Sequence, residues 1–399
     1  MSHLVAIGTY LPPWGISNRR VTMADEDAVT LAVAAGRQAL GQGTVNRVVL
    51  VTTELPLLEG GNGAALLGGL GLPDSTEVVE RNGGASAALD AVAGAAPGTL
   101  VIGVDVERAG AAAALTGDDS RGLHVGPGTR IVRSLPVRAR GGDGVVHNYD
   151  DPRLLRERGL RENLDRLGEI PDVLAAAGLT AAETKAVGVR GLPELPTVGA
   201  GSALFALAIV AESGATGTVL AADQASLSSA TVSGTARVRR HEPTARPLPK
   251  TKLSPGPAIP ISLAAYDRAF TAKLTLSASR GQDGALVFPP RRDPLSKVAP
   301  ELVALPREGC VYTMTTINVP VPGKATPYSL VIVELDEVGV RVLCQVTGHS
   351  ADEVAIGDRG ELVFRLVEMR SGIPDYGYAF RPTGATATHT ETELQESAR

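Results

Sequence analysis

Residues 1–235 alternate short β-branched runs with alanine-rich stretches. Arg47-Val-Val-Leu-Val-Thr-Thr53 is an apolar run of strand length, and Ala28 to Leu40 before it has helical composition. Gly98-Thr-Leu-Val-Ile-Gly-Val-Asp105 predicts a second buried strand, preceded by an alanine-rich helix over Ser86–Ala96. Strands alternating with helices predict an α/β body with a mainly parallel sheet covered on both faces.

Part of this pattern repeats. Gly83-Gly-Ala-Ser-Ala-Ala-Leu89 leads through a helix to the strand ending at Asp105, and Gly199-Ala-Gly-Ser-Ala-Leu-Phe205 leads through another to Gly217-Thr-Val-Leu-Ala-Ala-Asp223. Ser86 and Ser202 are 116 positions apart, Asp105 and Asp223 118. Each copy is a glycine turn, a helix and a strand ending in Asp. It reads either as a duplicated half or as chance within Ala/Gly-rich sequence.

Further on the texture changes. Arg237, Arg239, Arg240, Arg246, Lys250 and Lys252 are interspersed with prolines from Pro243 to Pro257, which predicts a solvated linker over 236–258. Ile261–Phe270 is a short helix candidate. From Gly309 the pattern is all-β, with strands over Cys310–Ile317, Tyr328–Leu335, Val340–Val346, Glu361–Val367 and Tyr378–Arg381. Five strands in so short a stretch suit a small closed barrel of the OB type. The expected division is a body over 1–235, a connecting segment over 236–305, a barrel over 306–382 and a disordered polar tail over 383–399.

Charge and composition narrow the classes. Asp and Glu outnumber Lys and Arg by 43 to 38. That balance argues against non-specific nucleic-acid binding, which needs a basic surface to displace phosphate counterions. No apolar run approaches the roughly 20 residues of a membrane-spanning helix, and the start does not have the layout of a secretory signal. Two cysteines, Cys310 and Cys344, cannot build a disulfide framework or a Cys-rich zinc site, and a cytoplasmic location is expected. Both lie in predicted strands and read as buried, inert thiols. Aromatics are only 3%, so the core must be built from Ala, Val and Leu.

Ile7-Gly-Thr-Tyr-Leu-Pro-Pro13 followed by Ile16-Ser-Asn18 resembles the start of HMG-CoA synthases and ketoacyl-ACP synthase III enzymes, and Glu26-Asp-Ala-Val-Thr-Leu-Ala-Val33 resembles their first helix. The resemblance covers about residues 1–235 and implies a thiolase-like, duplicated, layered αβαβα body that pairs through an edge of its sheet. Gly309-Cys-Val-Tyr-Thr-Met-Thr315, Pro327-Tyr-Ser-Leu-Val-Ile-Val-Glu-Leu-Asp336, Val354-Ala-Ile-Gly357 and Phe380-Arg-Pro382 resemble acyl-CoA-associated OB-fold proteins that accompany thiolase-like enzymes. Leu286-Val-Phe-Pro-Pro290 resembles the segment inside their zinc ribbon. In those systems the small subunit bridges or gates a thiolase-fold dimer; here the two parts look fused.

The departures bear most on function. Thiolase-fold synthases use a cysteine at a helix N-terminus, where the dipole makes the thiolate available. By resemblance that position falls on Asn82, and no cysteine precedes Cys310. The region of the family's histidine falls on Val189 and the place of its asparagine on Thr197 or Pro196, none of which matches. The zinc-ribbon ligand positions fall on Arg280, Asp283, Pro294 and Lys297, a set that cannot supply tetrahedral zinc. Glu54 follows a strand as the acid/base glutamate of HMG-CoA synthases does; alternatively it is a surface glutamate at a strand end. His124, His147 and Tyr149 are further candidate bases in polar loops.

The expected function is therefore an accessory or scaffold subunit. Its partner would be a catalytic thiolase-fold subunit or a second copy, and its ligand an acyl-CoA or acyl-carrier substrate. No resident cofactor, metal, nucleic acid or membrane is implied. The alternative is a cysteine-independent retro-aldolase acting on a β-hydroxyacyl-CoA, which needs a base and an enolate-stabilising pocket rather than a nucleophile. An ordinary ketoacyl or HMG-CoA synthase is disfavoured by the missing cysteine.

Overall fold

The computed structural model describes residues 2–16, 19–41, 44–58, 60–132, 138–140, 145–149, 151–186, 191–223, 226–257, 260–281, 283–291 and 300–383. They form two compact units, divided between Pro247 and Leu248.

In the N-terminal unit the chain runs through β1 (Ser2–Tyr10), α1 (Ala28–Ala39), β2 (Arg47–Thr52), α2 (Gly63–Leu70), β3 (Glu77–Asn82), α3 (Ala85–Ala93), β4 (Thr99–Asp105) and β5 (Gly110–Gly117). It continues through β6 (Leu123–Val132), α4 (Glu162–Leu167), β7 (Val173–Ala177), α5 (Ala200–Ser213), β8 (Gly217–Asp223), β9 (Ser226–Ser233) and β10 (Arg237–His241). The order of the ten-stranded sheet is β7-β8-β9-β6-β1-β5-β4-β2-β3, with β10 alongside β1.

The sheet contains a duplication. In the first half β2 is parallel to β4, β4 antiparallel to β5, and β5 antiparallel to β1. In the second half β7, β8, β9 and β6 repeat those relations in the same order. Edge strand β3 has no counterpart among the described residues. The halves join where Ser2–Leu4 pairs antiparallel with Leu123–Val125.

Helices α3 and α5 pack on each other and on strands of both halves, so they form a middle layer. Helix α1 covers β1, β4 and β5 on one outer face, and α4 covers β6 and β9 on the other. This is the αβαβα layering expected of the body. Helix α1 starts where its sequence says it should: the Asp27 carboxylate accepts the Thr30 N–H at 2.9 Å, and Thr30 Oγ1 accepts the Asp27 N–H at 2.7 Å. Strand β5, four of whose eight residues are alanine, runs between α1 and α5, where small side chains let both helices approach.

Residues 237–241 depart from the expected linker. They form β10, zipped parallel onto Ala6–Tyr10 of β1. Arg240 is held by Glu212 and Glu242, both at 2.7 Å, so its charge is spent inside the body rather than on a solvated tether.

The C-terminal unit contains α6 (Leu263–Thr275), then β11 (Ser277–Arg280), β12 (Leu286–Val287) and β13 (Leu302–Ala304), a three-stranded sheet ordered β12-β11-β13. Next come β14 (Glu308–Ile317), β15 (Tyr328–Leu335), β16 (Arg341–Gln345), β17 (Arg359–Arg370) and β18 (Ile373–Pro382), ordered β16-β15-β14-β17-β18. Val346 bridges to Phe380, and the Thr347 N–H donates to the Phe380 carbonyl at 2.9 Å, which brings the two ends of this sheet together. The alternating burial of β15 places Val331, Val333 and Leu335 in the barrel core with Leu362, Phe364 and Phe380.

Candidate functional site

Helices α3 and α5 start against strand ends of the opposite half. Gly84 caps α3 and donates its N–H to Asp223 Oδ2 at 2.7 Å; Asp223 ends β8. Gly199 caps α5, whose start lies close against the carboxyl of Asp105, which ends β4; Asp105 Oδ2 and the hydroxyl of buried Thr197 are without hydrogen-bond partners there. A Cβ on Gly84 would lie 2.6 Å from Asp223 Cγ, and one on Gly199 2.0 Å from Asp105 Oδ1. Only glycine lets the carboxylates sit this close. Each half thus supplies the carboxylate that meets the other half's central helix.

Burial raises both acids. It pushes the Asp105 carboxyl up to about 7, against the opposing effect of Thr197 and the N–H groups at the start of α5. Burial also raises Asp223, opposed by the Gly84 N–H. Beside them, Ser86 Oγ lies 2.5 Å from Ser226 Oγ, and Ser228 Oγ donates to the Ser86 carbonyl at 3.2 Å. Further along α3, Asp90 pairs with Arg130 at 3.0 Å and faces Arg81 at 3.9 Å, yet burial still raises it.

Asn82 is exposed and ends β3, two residues before the cap of α3. Thr52 pairs with Asn82 in register, and the Gly83 N–H donates to the Thr52 carbonyl at 3.1 Å. Glu54, half-buried, follows Thr52, and its N–H donates to Thr52 Oγ1 at 3.2 Å. Glu54 and Asn82 therefore follow or end neighbouring parallel strands at one end of the sheet. Buried Asn62 fixes the loop beyond Glu54: it exchanges hydrogen bonds with Leu57 and donates to Glu80 at 2.7 Å.

The remaining candidates lie elsewhere. His147 and Tyr149 are exposed, and His147 sits on a two-stranded hairpin opposite Ala139. His124 pairs across β6 and β1 with His3, ring centroids 5.2 Å apart. Val189, Pro294 and Lys297 lie outside the described residues.

At the ribbon positions, Arg280 donates to the Gly284 carbonyl at 3.3 Å, and Asp283 accepts the Ala285 N–H at 3.1 Å. The Gly281 N–H donates to the Ala285 carbonyl at 2.8 Å, so a hydrogen-bonded turn stands where a metal knuckle would. These residues do not fit zinc, and no cluster of three His, Cys, Asp or Glu forms among the described residues. Cys344 is buried, its thiol pushed up to about 12 by burial. Cys310, expected to be buried, is half-exposed and donates to the Gly357 carbonyl at 3.2 Å.

The sequence repeat already ended each copy in Asp, but spacing alone does not show that the two carboxylates cross over. That exchange and the Ser86–Ser226 contact need the fold.

Residues 302–365 match the model of the C-terminal OB-fold domain of ChsH2. A DUF35 domain-containing scaffold protein of Methanothermobacter thermautotrophicus is 38% identical over 79 residues, 19% of this chain and 59% of that protein. The chain thus spans about three-fifths of that relative's length. Among solved structures, a variant of Xanthomonas campestris OleA is similar at 15% identity and a TM-score of 0.48, over 58% of this chain and 98% of that one. AbyA1, a tetronic acid condensing enzyme, is similar at 16% identity and a TM-score of 0.43, over 58% and 99%. The C-terminal domain is an OB-fold domain. The N-terminal domain, by its duplicated strand order around two central helices, is thiolase-like. No helix among the described residues is long and apolar enough to cross a membrane.

Proposed function

We propose that this chain is an accessory subunit of a C–C bond-forming acyltransferase, similar to HMG-CoA synthases or ketosynthases, and handles acyl-CoA or acyl-carrier substrates without forming an acyl-enzyme. The observation that carries this is the start of α3. In a thiolase-fold synthase that helix end activates a cysteine. Here it reads Asn82-Gly-Gly-Ala-Ser86, and its positive end meets the Asp223 carboxylate. A carboxyl group already takes the N–H of the helix cap where a thiolate would be stabilised. The DUF35 scaffold relative supports the same reading.

Edge strand β3 suits the pairing role. It has no partner on its outer side among the described residues, and it contains neither proline nor a bulge. An antiparallel pairing of two copies centred on Val79 sets Glu77 of one against Arg81 of the other. A catalytic thiolase-fold subunit would use the same edge. The test is co-expression with a cysteine-containing thiolase-fold condensing enzyme, followed by light scattering. Formation of a mixed complex supports the reading; a monomer that ignores both itself and the enzyme overturns it.

The retro-aldolase reading rests on Glu54, half-buried at the same sheet end as Asn82 and the start of α3. Cleavage of a β-hydroxyacyl-CoA by the purified chain, lost in Glu54→Gln, would select it instead.

A further inference from the structure

We propose that His3 and His124 form a binding site for an exchangeable divalent transition-metal ion, which ties the two halves of the body across their seam. His3 lies on β1 of the first half and His124 on β6 of the second, directly opposite each other in the short antiparallel pairing that joins the halves. Opposed residues of neighbouring strands share a face of the sheet. The two rings stand 5.2 Å apart between centroids and are tilted by 48°. Imidazole nitrogens bind such ions at about 2 Å, which puts two imidazoles on one ion with their centroids roughly 5 Å apart. The strand register therefore already supplies the spacing. The last side-chain torsion of histidine is broad, so each ring can turn a nitrogen toward one ion without moving the backbone.

The surroundings suit a cation. Nδ1 of His3 is buried and has no hydrogen-bond partner among the described residues. A neutral imidazole carries one donor and one acceptor nitrogen, and a cation between the rings takes the acceptor lone pair of each. Gly117 faces His3 from β5, and Gly126 lies two residues beyond His124 on β6, so neither neighbour puts a side chain over the pair. A Cβ at Gly126 would come 3.3 Å from His124 Nε2. The Asp119 carboxyl, held below its ordinary range chiefly by Arg121 with a smaller contribution from His3, keeps a negative charge nearby. Two protein ligands leave the rest of the coordination sphere to water, so the ion exchanges and is lost on dialysis. Imidazole suits copper, nickel and zinc, and copper(II) heads the affinity order.

Titration of the full chain with copper(II), followed by calorimetry and electron paramagnetic resonance, tests this. The unaltered protein should bind one ion per chain with two imidazole nitrogens in its coordination sphere. His3→Gln and His124→Gln should each weaken binding by about tenfold or more, and the double variant should add little to either. His147→Gln, an exposed histidine on the separate hairpin, should change nothing. Because the site exists only where β1 and β6 meet, the ion should raise the urea midpoint of the unaltered protein and not that of either single variant. Each variant is compared with itself, with and without copper, so one of lowered stability still gives an answer. A spectrum with one imidazole nitrogen, or binding lost in only one of the two single variants, would overturn the site.

Discussion

Asp105 gives the sharpest expectation for a single residue. Its folded pKa of about 7 lies above the usual 3.8 of an aspartate. The folded state therefore binds a proton more tightly than the unfolded state. Stability from this group is greatest below the unfolded value and falls as pH rises toward 7, by up to about 4 kcal/mol. Asp105→Asn removes that dependence, so urea unfolding at pH 5 and pH 8 should differ less in the variant than in the parent. An unchanged pH slope would mean that the carboxyl is not buried as described. Asn82 offers a second expectation. Asn82→Cys alone should alkylate at an ordinary thiol rate, because Asp223 offsets the helix end. Adding Asp223→Asn should speed iodoacetamide reaction several-fold at pH 7. Equal rates in both backgrounds would place Asn82 outside the field of α3.

Among the elements, those with strong local signals matched their patterns. Helix α1 was expected over Ala28 to Leu40 and spans Ala28–Ala39; β15 spans Tyr328–Leu335 as read. What the pattern missed follows from physics. Strand β5 is Gly-Ala-Ala-Ala-Ala-Leu-Thr-Gly, and alanine favours helix unless packing from both sides decides otherwise. Strand β10 carries four basic or His side chains around Val238; it is a strand only because β1 offers it a backbone edge. Glu54, Asn82 and Thr197 are candidates that order and resemblance name. The partnership of Asp223 with Gly84 spans 139 residues, a distance no local pattern reaches. In the C-terminal unit, Arg280 and Asp283 stand where zinc-binding thiolates would be needed, so elemental analysis of the purified protein should find far less than one zinc per chain. Stoichiometric zinc that survives dialysis would refute the reading of Arg280 and Asp283.

At the scale of the whole molecule, a thiolase-like body whose edge strand β3 is unpaired on its outer side among the described residues and an OB-fold domain share one chain. If β3 is the pairing edge, Val79→Lys should weaken self-association or complex formation at least tenfold by light scattering across a dilution series. The α/β circular dichroism signal should stay intact. Association unaffected by Val79→Lys would move the interface elsewhere. The most direct measurement of the proposed role is intact-protein mass spectrometry after incubation with acetyl-CoA and malonyl-CoA, with free CoA followed in parallel. A subunit whose helix end is occupied by Asp223 should keep its mass and release CoA no faster than buffer does. An acyl adduct mapped to residues 1–309, where no cysteine exists, would contradict it.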